Sequence, residues 1–179
     1  MILMNKNTLR KALETLNVLL KRNSETLEML IVGGSHMCLV QGSRDATYDI
    51  DVFSPTPSKL KDYRRLVRQI YPEIPHDWIN TDAAAYITKQ IKEDAIVFIQ
   101  YSNLTVYTPT DQAMLALKVV SGRMAKDKQD LQDAAYLIRK IGINTPQEIK
   151  HWVEVYTPLM KHKLERNSEF IEQVLQLSR

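Results

Sequence analysis

Hydrophobic positions change their period along the chain, and each change predicts an element. Leu9, Leu13, Leu16 and Leu20 recur at helical spacing, with Asn7 or Thr8 placed to cap the start; this predicts a helix from about Thr8 to Arg22. Met29-Leu30-Ile31-Val32 is a short apolar run stopped by Gly33-Gly34. That is the pattern of a buried strand ending in a tight turn, with a short helix from Ser35 to about Val40 after it. From Thr47 to Phe53 the period is two. Tyr48, Ile50 and Val52 alternate with Thr47, Asp49, Asp51 and Phe53, which predicts a strand with both aspartates on one face, ended by Pro55 and Pro57. Lys59 to Ile70 reads as an exposed basic helix. Pro72 and Pro75 restrict Ile74 to Trp78 to an edge strand or a loop. Ala95 to Gln100 and Leu104 to Tyr107 read as a hairpin turning at Ser102-Asn103.

After this hairpin the pattern is helical throughout. Pro109-Thr110-Asp111 opens a helix that runs to about Gly122, and Asp127 to Ile141 forms another, closed by Gly142. Thr145-Pro146-Gln147-Glu148 combines a capping threonine, proline at the first helical position and glutamate three residues after the cap. Residues 168–178 make a last amphipathic helix. Strands confined to the first part, followed by helices alone, predict an α+β fold with a helical C-terminal part.

Composition narrows the setting. A chain of 179 residues, 44% hydrophobic and 25% charged, is long and apolar enough for one cored domain with or without a helical appendage. Its single cysteine, Cys38, excludes a disulfide scaffold. No apolar run reaches the roughly 18–20 residues of a membrane span. The opening Met1-Ile-Leu-Met is interrupted by Asn5, Lys6 and Asn7, too soon for a secretory segment. The cytoplasm is the expected location, and no membrane partner is expected. A net charge of +3, from 24 basic and 21 acidic residues, is too weak for a dedicated nucleic-acid wrapper but leaves room for a local basic cleft.

The chemistry concentrates in Val32-Gly33-Gly34-Ser35 and, about fifteen residues later, Asp49-Ile50-Asp51. Carboxylates at i and i+2 of a strand lie close enough to repel unless a cation sits between them. A hard divalent ion such as Mg²⁺ relieves this, held by one or two carboxylates plus substrate phosphates. A diglycine at a strand-to-helix junction lets a phosphate approach the backbone, and the following helix start offers unpaired N–H groups. Ser35 is placed as helix cap or phosphate donor. Taken alone, Gly-Gly is most often only a turn and Asp-x-Asp only a solvated face. Their conjunction between predicted strands is what points to a site.

Downstream, Lys118 is the sole charge in Ala113-Met-Leu-Ala-Leu-Lys-Val-Val120 and borders the buried stripe, so its ammonium must reach solvent or meet an anion. A nucleotide phosphate and a carboxylate of Asp130 or Asp133 are both candidates. Asp130 shares a stripe with Ala134, Leu137 and Ile141 and can pair with Lys118 or, at i,i+4, with Lys126. Arg123, Lys126 and Lys128 form a basic cluster that reads either as a solvated face or as a surface for a polyanion. His36, His76, His151 and His162 are scattered, without metal-ligand spacing, and the chain has no Walker loop and no dinucleotide fingerprint.

Gly33-Gly34-Ser35 followed by Arg44-Asp-Ala-Thr47-Tyr-Asp49-Ile-Asp51-Val-Phe53 resembles the signature of the nucleotidyltransferase superfamily, and most nearly its minimal bacterial abortive-infection (AbiE-type) toxin members. Ala116-Leu117-Lys118, then Gly122-Arg123, then Lys128-Gln-Asp130-Leu-Gln-Asp133 resembles the downstream helical motif of that family, so the likeness spans roughly residues 28–140. The resemblance implies a small mixed sheet flanked by helices over 1–142, with a helical extension over 143–179 packed on it. It also implies a metal-dependent transfer of a nucleoside monophosphate from a nucleoside triphosphate to an acceptor hydroxyl. Asp49 and Asp51 would hold Mg²⁺, with Mn²⁺ as the alternative. Gly33, Gly34, Ser35, Arg44, Thr47 and Lys118 would bind nucleotide, although Arg44 and Thr47 can equally order their own loop, with Asp45 as partner. Lys118 would contact phosphate, while Asp130 would hold that lysine or position the acceptor. The implied acceptor is tRNA or a protein, in a toxin–antitoxin or phage-defence setting with a cognate partner protein. Many members add a third carboxylate from a later strand, but Ile96 to Gln100 and Leu104 to Tyr107 carry none. The rival reading is therefore a nucleotidyltransferase fold used as a binding or antitoxin-like module without turnover. A small-molecule (aminoglycoside-type) transferase would need an acidic acceptor pocket, which the basic cluster opposes.

Overall fold

The leucine stripe of the first segment supplies one wall of a core. In a computed structural model of the chain, which describes residues 2–121 and 128–178 without the side chains of 165 and 166, Met4–Asn5 (β1) leads into a helix over Lys6–Arg22 (α1). Leu9, Leu13, Leu16 and Leu20 are fully buried along one side of it. Its cap is Asn5, earlier than the spacing predicts, because the Asn5 side chain reaches forward to accept the Thr8 N–H at 2.9 Å.

Two compact units divide the chain: Met1–Ala85 with Ala95–Thr108, and Tyr86–Asp94 with Pro109–Arg179. The first is built on a five-stranded mixed sheet. Its strands are Leu27–Val32 (β2), Ile50–Phe53 (β4), Ile79–Asn80 (β5), Ile96–Gln100 (β6) and Leu104–Thr108 (β7), in the order β5-β4-β2-β7-β6. Met29 and Ile31, Ile50 and Val52, and Leu104 and Val106 project from successive strands into one cluster with the α1 leucines. Leu60, Tyr63 and Val67 of the helix Pro57–Ile70 (α3) complete it. Each large side chain fully buried there contributes about 1.5–3 kcal/mol of transfer free energy, and together they fix which sheet face looks outward.

The strand expected over Thr47 to Phe53 is in fact two. Ala46–Thr47 (β3) pairs with β1, whereas β4 runs antiparallel to β2. The chain changes partners across Tyr48 and Asp49, and Asp49 lies just outside β4. Alternation cannot reveal this, because a change of partner leaves the side-chain period of two intact. The helix after the diglycine begins at Gly33 rather than Ser35: Gly33–His36 (α2) runs on into a π-helical turn over Met37–Gln41. Ile74 to Trp78 follows the loop alternative. The buried Trp78 indole donates to the Arg64 carbonyl at 3.2 Å, and the short β5 starts at the next residue, parallel to β4.

The second unit is helical: Lys89–Glu93 (α4), Asp111–Ser121 (α5), Lys128–Ile141 (α6), Pro146–Tyr156 (α7), His162–Arg166 (α8) and Ser168–Ser178 (α9). Every residue of α5 from Ala113 to Val120 is buried, which is why that segment reads as an apolar block rather than a stripe. The capping box before α7 forms as its sequence predicts, Thr145 Oγ1 accepting from the Glu148 N–H and Glu148 Oε2 from the Thr145 N–H. α4 is too short to carry a helical period. It is tied in by the Thr88 hydroxyl donating to the Tyr156 carbonyl at 2.7 Å, and by the Tyr156 hydroxyl donating to Asp94 at 3.0 Å. The expected boundary at 142/143 falls inside this unit, between α6 and α7. Among the described residues no helix is long and apolar enough to cross a membrane.

Candidate nucleotide site

Strand register builds the site. β2 and β4 pair so that Val32 stands opposite Asp51, which brings the end of β2 and the diglycine after it alongside that aspartate. Gly33 has φ +65°, in the left-handed region, and a β-carbon there would stand 2.6 Å from Asp51 Oδ2. A β-carbon on Gly34 would stand 2.7 Å from Thr47 Oγ1 and 2.9 Å from Arg44 Nη1. Three of the sequence-predicted positions therefore need the space that the two glycines leave: the carboxylate of Asp51, the hydroxyl of Thr47 and the guanidinium of Arg44. Thr47 is held in place because its own short strand pairs with Met4.

Asp49 and Asp51 are part-buried on either side of the fully buried Ile50. Asn80, whose backbone is in register with Asp51 across the β4–β5 pair, donates from Nδ2 to Asp49 Oδ2 at 3.0 Å. Its Oδ1 accepts the Asp82 N–H at 2.9 Å, so the amide is held with its nitrogen toward Asp49. Burial pushes the Asp49 carboxyl above its ordinary value. The Asn80 hydrogen bond opposes the shift, and the nearby charges of Asp82 and Asp77 add to it. Asn80 carries no signal in the sequence; only the register of a two-residue strand places it.

Ser35 is the third residue of α2 and not its cap. The side chain is wholly buried, and its hydroxyl donates to the Val32 carbonyl at 2.7 Å. His36, also wholly buried, anchors the turn. Its Nδ1 lies 2.7 Å from Thr108 Oγ1, and its Nε2 lies 2.9 Å from the Gln41 amide nitrogen, which places the ring proton on Nδ1. The sequence had offered His36 only as one of four scattered histidines. Cys38 is buried and burial pushes its thiol up, the opposite of what a nucleophilic thiolate needs.

The donor set suits a hard cation. Asp49 and Asp51 offer carboxylate oxygens, the donors that a hard cation such as Mg²⁺ takes one or two at a time, with other positions left to substrate and water. Among the described residues no group of three or more His, Cys, Asp or Glu is placed to hold a metal. A third carboxylate is missing from β6 and β7, as their sequences require.

In the second unit, Lys118 meets both of its candidate carboxylates. Its Nζ lies 2.6 Å from Asp130 Oδ1 and 2.7 Å from Asp133 Oδ2, with the lysine and Asp133 almost entirely buried. Gly122, Arg123, Lys126 and Asp127, and with them most of the expected basic cluster, lie outside the described residues; Lys128 is exposed.

A mixed sheet with helices packed on it, and a diglycine turn closed against an aspartate of the antiparallel neighbour, defines a nucleotidyltransferase-like fold. The chain belongs to a family described as nucleotidyltransferase of unknown function (DUF6036), whose model matches residues 7–168. No curated protein and no solved structure matches it.

Proposed function

We propose that the protein transfers a nucleoside monophosphate from a nucleoside triphosphate to an acceptor hydroxyl of RNA or protein, using the corner between β2 and β4. The observation that carries this reading is the pair of glycines whose missing β-carbons leave room for Asp51, Thr47 and Arg44 together. Such a corner admits a phosphate chain against backbone N–H groups, which at a helix start have no acceptor within the helix. The guanidinium of Arg44 lies at the Gly34 side of that corner and offers a positive charge to the chain. Asp49 and Asp51 hold Mg²⁺, with Asn80 fixing the orientation of the first. The ion, when bound, supplies neutralisation of charge that develops on the phosphoryl oxygens. The acceptor oxygen bonds to the α-phosphorus in line, the bond from that phosphorus to the bridging oxygen breaks, pyrophosphate leaves with the electron pair, and the hydroxyl proton passes to solvent.

The likeness to AbiE-type proteins supports a toxin–antitoxin or phage-defence setting as part of this proposal. Lack of a third carboxylate among the described residues favours the second reading, a nucleotide-binding module without turnover. Thermal melting with each of the four ribonucleoside triphosphates, with and without Mg²⁺, tests the site. Magnesium-dependent protection that disappears in Asp49→Asn and Asp51→Asn is expected, and its absence from the unaltered protein sinks the proposal. Incubation with α-labelled triphosphates and total RNA or lysate then separates transferase from module, by whether label becomes attached to an acceptor.

A further inference from the structure

The outer face of α3 carries cations that the fold does not use. Leu60, Tyr63 and Val67 point into the core, so Lys61, Arg65 and Arg68 fall on the solvent side, exposed and without an ion pair among the described residues. Their neighbours are committed elsewhere: Lys59 to Glu25 at 3.2 Å, and Arg64 to Asp77 at 3.0 Å. The free three do not sit on a convex surface. They line, with Arg64, Gln69 and His76, a groove of about 360 Å³ in which Asp62 is the one acid. A second groove of about 350 Å³ shares Lys61 and Arg64 with the first and reaches Asn80 and Asp82. Asn80 is the residue that holds Asp49. A basic track thus runs along α3, and the groove that leads from it to Asn80 carries Lys61 and the paired Arg64 on one side and Asp82 at its far end, all within one unit of the chain.

We infer that this track binds the phosphodiester backbone of the acceptor, a single-stranded polynucleotide, and leads its hydroxyl toward Asp49 and Asp51. This rests on the transferase reading above and specifies its acceptor. The spacing suits a repeating anion: Lys61 to Arg68 covers about 10 Å of helix axis, the span of roughly two phosphates of an extended single strand, and three long side chains can reach a third. Guanidinium forks and an ammonium match phosphate oxygens, and every residue lining the first groove is polar or charged. An acidic protein partner would want an aromatic or aliphatic anchor at the centre of the contact, and no aliphatic, Phe, Tyr or Trp side chain lines that groove.

The test is fluorescence anisotropy of labelled single-stranded RNA and DNA of one mixed sequence, and of a polyglutamate peptide, titrated across a range of salt concentrations. The unaltered protein is compared with the triple variant Lys61→Gln/Arg65→Gln/Arg68→Gln. Loss of three phosphate contacts should weaken oligonucleotide binding about 100-fold at 0.1 M salt and flatten the log–log salt slope by about 2. Magnesium-dependent triphosphate protection should stay unchanged in the variant, which also shows that it folds. The inference is overturned if the unaltered protein binds neither oligonucleotide, if the triple variant binds as well as it does, or if polyglutamate binds equally tightly. Failure of triphosphate protection in the unaltered protein is a different result, and it removes the transferase reading instead.

Discussion

Gly33→Ala tests the corner directly, because two separable costs are built into it. The first is backbone: a non-glycine residue at φ +65° sits in the left-handed region, at roughly 1–2 kcal/mol. The second is steric: the new β-carbon, 2.6 Å from Asp51 Oδ2, forces that carboxylate off its rotamer, at about 0.5–1.5 kcal/mol. Together they amount to about 1.5–3.5 kcal/mol, which for a chain of this size lowers the melting temperature by roughly 3–14 °C. Urea unfolding of the unaltered protein, Gly33→Ala, Asp51→Ala and the double variant closes a thermodynamic cycle. With the carboxylate gone only the backbone cost should remain, giving a coupling of about 1 kcal/mol, above the few tenths expected of independent sites. Gly33→Ala should also weaken magnesium-dependent triphosphate protection while Asp51 is still present. Equal cost of Gly33→Ala in both backgrounds would refute the placement of Asp51 against the diglycine, and with it the geometry on which the proposed site stands.

Two further outcomes follow from the same physics. The Asp49 carboxyl is raised above its ordinary 3.8, so between that value and the raised one the native state binds more protons than the unfolded state, and stability falls as pH rises through the window. Asp49→Asn should flatten that decline and be at least as stable at neutral pH, whereas triphosphate protection of the unaltered protein should fade as pH drops through the same window; identical melting profiles for the two proteins would contradict the shift. Lys118→Met leaves Asp130 and the buried Asp133 without their shared cation and should cost about 3–5 kcal/mol, read as a melting point lower by roughly 10 °C and partly restored by adding Asp133→Asn. A variant as stable as the parent would mean the lysine is not the counter-charge of that cluster.

Much of the molecule was legible in local pattern. The leucine stripe of α1, the apolar run of β2, the β6–β7 hairpin and the capping box before α7 are short-range consequences of side-chain period and backbone donors, and the structure keeps each of them. The sequence also singled out the diglycine and Asp51 as a conjunction, and the structure places the two against each other.

Pairing decided the rest. Thr47 to Phe53 has one alternation but two partners, because a period of two is blind to which strand lies alongside. Ser35 lost its place as cap when the helix began at Gly33, a choice set by the left-handed turn there rather than by capping propensity. Asn80 became the holder of Asp49 only through the register of β5 on β4. Lys118 had a phosphate and two carboxylates as candidate anions; the packing of α5 against α6 brought both carboxylates to it. Sequence by itself determined which residues carry charge and which face of each element is apolar, for these are properties of the chain within a turn or two. Tertiary structure alone decided which charges meet, because that depends on register and helix packing between segments far apart along the chain.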